Sequence, residues 1–461
     1  MAVAQSLFEK IRGGQSGTAT RIPAAVAWRL VRRGGRRLGW GAADQGMSSL
    51  TNFLLSVYVA RTLGAVAFGA FSLVYVTYAF ALNASRGLST DPFVVRFSAT
   101  DLPTWRRAAA LCTGTALTVG LATGTCALVA GRLLGGTAGL GFLALGLTLP
   151  GLLLQDSWRY AFFSQGRGHH AFINDMAWAV LLVPSLALLQ VSGHANVFWL
   201  VFAWGASGTA SAALGILQAR VVPSPVGAWE WLSRHRDLAS RYLAEGSAST
   251  ASTQLRTYGF DLILGLAAVG YIQGATTLMG PFRILFLGMG LFMVPEAVSL
   301  LRRSARHMSF FCLAASGGLA LLGLVWGVVL LVAMPRGLGH LMLGNLWRPT
   351  YPLVTPTTLW VMGTGALSGA LVGLHALAAA RRSLRAALVV SVLGLAFSLA
   401  GARIAGGAGA MWGSAAASWV GVLLTWDQLR RALRDRATAE PVSGITPARD
   451  FSSRGRHTTR R

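Results

Sequence analysis

Residues 46–98 read GMSSLTNFLLSVYVARTLGAVAFGAFSLVYVTYAFALNASRGLSTDPFVVRFS. Two apolar segments stand on either side of a very short turn. The first, from about Ala42 to Ala60, is just long enough to cross the roughly 30 Å hydrocarbon layer of a bilayer as a helix. Arg61 closes it, and Leu63-Gly64-Ala65 turns the chain. The second runs from about Val66 to Leu88, ahead of Asp91-Pro92. No folded aqueous domain fits in such a turn. The two segments are therefore expected to lie antiparallel, side by side, across a membrane.

The same pattern recurs outward from this hairpin. Apolar spans follow near 108–131, 138–155, 171–191 and 195–217, and then near 247–268, 272–300, 308–333, 353–377, 384–402 and 408–426. With the opening pair these make twelve. Between the sixth and seventh, Val222 to Glu245 is polar, with Pro223, Pro225 and a charged patch from Trp229 to Arg241. The reading is an all-α polytopic membrane protein, with about 12 transmembrane helices in two pseudo-symmetric six-helix lobes around a central cavity. Its expected parts are a basic cytoplasmic tail (1–40), an N-lobe (41–220), a cytoplasmic inter-lobe connection (221–245), a C-lobe (246–426) and a second basic cytoplasmic tail (427–461), read as disordered past Ala437.

Composition supports this class. The 461 residues are 54% hydrophobic and only 12% charged, with a mean hydropathy of +0.55. Soluble domains carry about 25% charged residues, and an outer-membrane barrel shows short alternating segments instead. A formal net charge of +25 in a soluble protein would point to nucleic acid. Here the arginines sit in tails and inter-helix loops, so membrane topology explains them and no nucleic-acid partner is expected. Cys112, Cys126 and Cys312 all fall in apolar segments without CxxC spacing and read as core residues. No metal or cofactor is expected. The first 39 residues are basic and Gly-rich and do not read as a cleavable signal.

The arginines also set an orientation. With the N-terminus inside, the inner loops hold Arg96, Arg106, Arg107, Arg159, Arg167, Arg220, Arg234, Arg236, Arg241, Arg302, Arg303, Arg306, Arg381, Arg382 and Arg385. The outer loops hold Arg61, Arg132, Arg336, Arg348 and Arg403, which is fifteen against five. An even number of spans keeps both arginine-rich tails on that inner side. In Ala24–Leu38, Val26, Trp28, Leu30 and Val31 alternate with Arg29, Arg32, Arg33, Arg36 and Arg37. That segment reads as a positively charged flank, or as a surface-lying helix on anionic lipid.

The halves resemble each other. Residues 63–71, LGAVAFGAF, lie over residues 264–272, LGLAAVGYI, at a constant offset, each joining the first and second span of its half. Both halves start on the same side, so the repeat is parallel, with its axis along the membrane normal.

Asn52-Phe53, Ala60-Arg61-Thr62-Leu63-Gly64, Phe68-Gly69 and the polar break ending in Val95-Arg96-Phe97 resemble the opening hairpin of bacterial polysaccharide exporters and O-antigen flippases. These belong to the multidrug/oligosaccharidyl-lipid/polysaccharide (MOP) flippase superfamily. Leu343-Gly344-Asn345-Leu346-Trp347 resembles a Leu-Gly-x-x-Trp signature of the same exporters, between spans nine and ten. The resemblance covers most of the chain in plan and about a fifth of it residue by residue. It implies a bacterial cytoplasmic membrane, a polysaccharide pathway and arginines in the central cavity that receive a lipid-linked pyrophosphate sugar.

Ionisable groups at membrane depth are costly unless paired or wet, and mark candidate sites. Arg256 lies about eleven residues, or ~16 Å, into the seventh span, and Arg283 lies about as deep in the eighth. A guanidinium binds phosphate oxygens through a planar fork and stays charged at any relevant pH. Arg256, Arg283 and, near the inner end of the second span, Arg86 are the substrate-binding candidates. Asp261, Asp44, Gln254, Tyr258 and Glu296 are candidates for cavity polarity or coupling: Asp261 as a neutralising partner of either arginine, Asp44 for a coupling cation or as a helix cap, Glu296 for a gate salt bridge with Arg302 or Arg303. For Arg86 the competing reading is a side chain that snorkels to the interface. Asp156, Arg159 and Asp175 read as solvated loop flanks, and His169-His170 lacks further ligands at metal-binding spacing.

The expected function is a flippase, not an enzyme, that turns a polyprenyl-pyrophosphate-linked oligosaccharide across the cytoplasmic membrane by alternating access, with polysaccharide assembly proteins as further partners. No GxxxxGK[ST] is present to bind ATP. A drug or metabolite antiporter of the same superfamily is the alternative; it favours acidic groups in the cavity, against two arginines and one aspartate here. A membrane glycosyltransferase or polymerase needs a carboxylate base, and the longest outer loop, Pro335 to Pro352, offers only His340. A scaffold that docks through its basic tails is a fourth reading.

Overall fold

A computed structural model describes the backbone of residues 24–98 and 100–439. Among the described residues the structure is helical throughout, with no strand. The helices are α1 (Ala24–Thr62), α2 (Ala65–Ser85, continued by a wide turn Arg86–Thr90 and by Asp91–Phe97), α3 (Leu102–Leu134), α4 (Gly136–Ser164), α5 (Gly168–Val191) and α6 (Val197–Ala219). The second half holds α7 (Ala228–Leu264), α8 (Leu266–Leu278), α9 (Gly280–Arg303), α10 (Ala305–Ala333), α11 (Trp347–Ala376) and α12 (Ala380–Ala439). α8 and α9 form one crossing, broken at Met279. α12 forms two, folded back at Ala405-Gly406, where the dihedrals leave the helical region. The described chain thus crosses twelve times. α1 begins at Ala24 rather than near 42, so the helix takes in part of the expected basic tail.

Local chemistry sets several of these ends. Asp101 caps α3 by accepting the Thr104 N–H at 3.1 Å, and Asn196 caps α6 by accepting the Trp199 N–H at 3.1 Å. Pro281, at the start of α9, has no N–H to give the preceding turn. The Leu278 carbonyl at this break instead accepts the Trp326 indole N–H at 2.9 Å.

Among the described residues, seven helical segments are long and apolar enough to cross a membrane, and two of them, Ala305–Ala376 and Arg381–Arg436, each contain a folded pair. Of the remaining crossings, α1 and α7 are more polar, and α8–α9 is divided at Met279. Each faces the junction between the lobes for part of its length instead of lipid.

The lobes meet closely at the turn of the internal repeat, between the first and second crossing of each half. A Cβ on Gly69 would stand 1.9 Å from the Leu266 carbonyl oxygen, and one on Gly270 would stand 2.3 Å from that of Ala65. At the repeat offset Gly69 corresponds to Gly270, and Ala65 to Leu266. The contact is reciprocal, as at a two-fold axis. The weak repeat read from the sequence is therefore a real pseudo-symmetry, and its matched glycines are where the two copies meet.

The polar connection ahead of the seventh crossing is also helical. It opens α7 and lies on the N-lobe. Trp231 donates its indole N–H to the Leu88 carbonyl at 3.2 Å, Arg96 pairs with Asp237 at 2.7 Å, and Trp231 and His235 stack with ring centroids 4.1 Å apart beside Phe97. α7 thus begins on the N-lobe and ends in the C-lobe.

Candidate functional site

A pocket of about 250 Å³ lies between the lobes. α1 lines it with Gln45, Ser48, Ser49, Asn52, Phe53 and Ser56, whose spacing repeats along one helical face. α2 adds Tyr75, and the α8–α9 crossing adds Gln273, Thr276, Thr277 and Gly280. Among the described residues the lining consists of amides, hydroxyls and two aromatic rings, with no charged group. Gly280 is needed for the close fit: a Cβ there would meet the Phe53 ring at 2.7 Å. These residues are absent from the candidates read in the sequence. The available signal was the polar stripe in α1 at helical spacing, inside an otherwise apolar span.

Of the arginine candidates, Arg283 has its backbone in α9, three residues past Gly280 and so on the same helical face. Its side chain lies outside the described residues. Arg256 sits elsewhere. Its guanidinium lies over the Trp360 ring, 5.1 Å from the centroid, in a separate cavity among α7, α11 and both arms of α12. Among the described residues no ion pair joins it to Asp261, which is half-buried farther along α7. Gln254 is buried with its Oε1 unpartnered. Tyr258 and Thr77 place their hydroxyl oxygens 2.5 Å apart and join α7 to α2. Glu296 is exposed near the end of α9.

The N-lobe holds a buried charge network, and it corrects three readings. Arg86 forms a two-point pair with Asp156, Nε to Oδ2 at 2.8 Å and Nη2 to Oδ1 at 2.6 Å, with the Tyr160 ring 5.0 Å away. It does not snorkel. Asp44, fully buried in mid-helix, caps nothing; its Oδ2 accepts from Arg159 at 2.5 Å, and its Oδ1 has no partner. Arg159 also lies 3.7 Å from the Asp175 carboxylate, whose other oxygen accepts from Gln155 at 2.7 Å. Asp156, Arg159 and Asp175 are thus internal, not solvated. α4 continues to Ser164, so residues 155–159 form one of its turns instead of entering a loop, and that turn faces α1, α2 and α5. Arg159 reaches Gln45 Oε1 at 3.3 Å, which brings the network to the rim of the inter-lobe pocket. His169 and His170 stack on each other beside Trp40 and Phe162.

No family model matches the sequence, and no curated protein matches it. Solved structures do match. The inward-facing conformation of a multidrug resistance MATE family transporter of the MOP superfamily superposes with a TM-score of 0.67 at 14% identity, over 84% of this chain and 96% of that one. Lipid II flippase MurJ in an inward closed conformation superposes with a TM-score of 0.64 at 12% identity, over 87% and 91%. An outward-facing MATE family transporter gives 0.51 at 13% identity, over 86% and 95%. The sequence resemblance is thus met at the level of fold: this chain is built as the transporters of the MOP superfamily are.

Proposed function

We propose that the protein is a transporter that moves a lipid-linked oligosaccharide across the membrane by rocking its lobes about the inter-lobe pocket. The observation that carries this reading is the pocket lining. Amides and hydroxyls beside aromatic rings suit sugar hydroxyls and ring faces. A cationic drug would call for a carboxylate, and among the described residues none lines this pocket. Arg283, one turn beyond Gly280, is the residue we assign to the pyrophosphate of the carrier lipid. Arg86 is committed to Asp156 and is not assigned to substrate. The closer match to inward-facing and inward closed transporters supports a resting state closed at the outer turn, where Gly69 and Gly270 meet.

The test is reconstitution in vesicles with a fluorescent polyprenyl-pyrophosphate sugar, reading the rate at which the label changes leaflet. Wild type is expected to accelerate it over empty vesicles. Arg283→Ala is expected to abolish the gain, and Asn52→Ala with Gln273→Ala to slow it at least about tenfold, the scale of one or two lost hydrogen bonds. No acceleration by wild-type protein, or movement of an organic cation in its place, would overturn the reading.

A further inference from the structure

We infer that the C-lobe cavity around Arg256 is a binding site for a small inorganic anion of the chloride class. The cavity measures about 150 Å³, against the roughly 10–15 Å³ that a single water needs on the same measure. It shares no lining residue with the inter-lobe pocket, so a lipid-linked headgroup held there does not fill it. Among the described residues Arg256 is its one charged lining group. Trp360 covers one face of the guanidinium. Among the described residues, the N–H edge has neither a carboxylate partner nor a hydrogen-bond acceptor. Among the described residues, five donors of fixed geometry are therefore left without protein acceptors at the depth the sequence gives them.

The hydroxyls nearby sort into two kinds. Thr364, Ser414 and Ser418 donate to carbonyls of their own helices at 2.7, 2.9 and 2.7 Å. Ser252, Thr253 and Ser391 line the same cavity without such a bond among the described residues, and Ser391, from the first arm of α12 and so across from Arg256's own helix, is the hydroxyl we assign to donate to the ion. Water would solvate the guanidinium but leave its charge uncompensated. An anion supplies both acceptor and counter-charge, and so ties α7 to α11 and α12. This site does not depend on the substrate proposed above.

The experiment is thermal unfolding of the purified full-length protein in lipid nanodiscs, titrating sodium chloride against sodium gluconate at constant ionic strength. A saturable rise of about 2–5 °C specific to chloride is expected in wild type. Arg256→Gln should remove it. Ser391→Val should weaken the apparent affinity several-fold, and it serves alone if Arg256→Gln does not fold. Equal responses to chloride and gluconate, or an undiminished response in the variants, would overturn the site. Phosphate in place of chloride tests size: saturation by phosphate at lower concentration would overturn the chloride assignment.

Discussion

At the scale of single residues, the described chain uses arginine in two ways. In the N-lobe, Arg86 and Arg159 are consumed by Asp156, Asp44 and Asp175. In the C-lobe, Arg256 faces a cavity with no acid. Ion pairs held away from water contribute little net stability when intact but are costly when half is removed, by about 3–5 kcal/mol. Asp156→Leu is therefore expected to lower the thermal midpoint strongly, and Arg86→Met with Asp156→Leu to recover much of the loss. Thermal unfolding of both variants in detergent checks this, and equal destabilisation by single and double variants would contradict it. The sequence marked Arg86 and Asp44 as unusual but could not pair them. Their partners lie 70 and 115 positions away. Asp156 and Arg159 were legible only if α4 was known to run on to Ser164. Depth alone also misplaced Arg256, because counting along a helix gives its height in the membrane and not its facing.

Helices were the most legible level. Twenty apolar residues in water have few other options, and the twelve crossings fall where hydropathy puts them. What hydropathy blurred is the polar side of the interior: α1 and α7 are diluted by polar groups such as Asn52 and Gln254. The repeat at Gly69 and Gly270 was faint as a string and strong as a contact. Adding a methyl at either position drives it into the carbonyl of the opposing helix, a backbone clash that a rotamer change cannot relieve. Gly69→Ala and Gly270→Ala are expected to widen the gap between the lobes at this turn by similar amounts, because the contact is reciprocal. Electron paramagnetic resonance distances between spin labels on the two outer turns would show it. Gly317→Ala, with open space around the position, is the control and should change nothing.

For the whole molecule, the arginine asymmetry makes an orientation testable. In a variant lacking its three native cysteines, His340→Cys is expected to react with a membrane-impermeant thiol reagent on intact cells. Arg303→Cys is expected to react only after permeabilisation. Both positions are exposed, so accessibility reports the side of the membrane. The reverse pattern would invert the topology. Global architecture was readable because it follows from counting spans and charges. The pocket was not, because it joins the first two crossings to the distant α8–α9 crossing, and their polar residues look unremarkable one at a time.

The thirty-seven residues of α7 form a single rod of about 55 Å. One end is bolted to the first lobe through Trp231 and Arg96, and toward the other end Arg256 enters the second. Such a lever cannot keep both fastenings while the bodies at its ends swivel against each other: either the rod flexes, or one fastening slips. An anion in the far socket, as proposed above, would then alter how readily the near one lets go wherever it binds the two arrangements unequally.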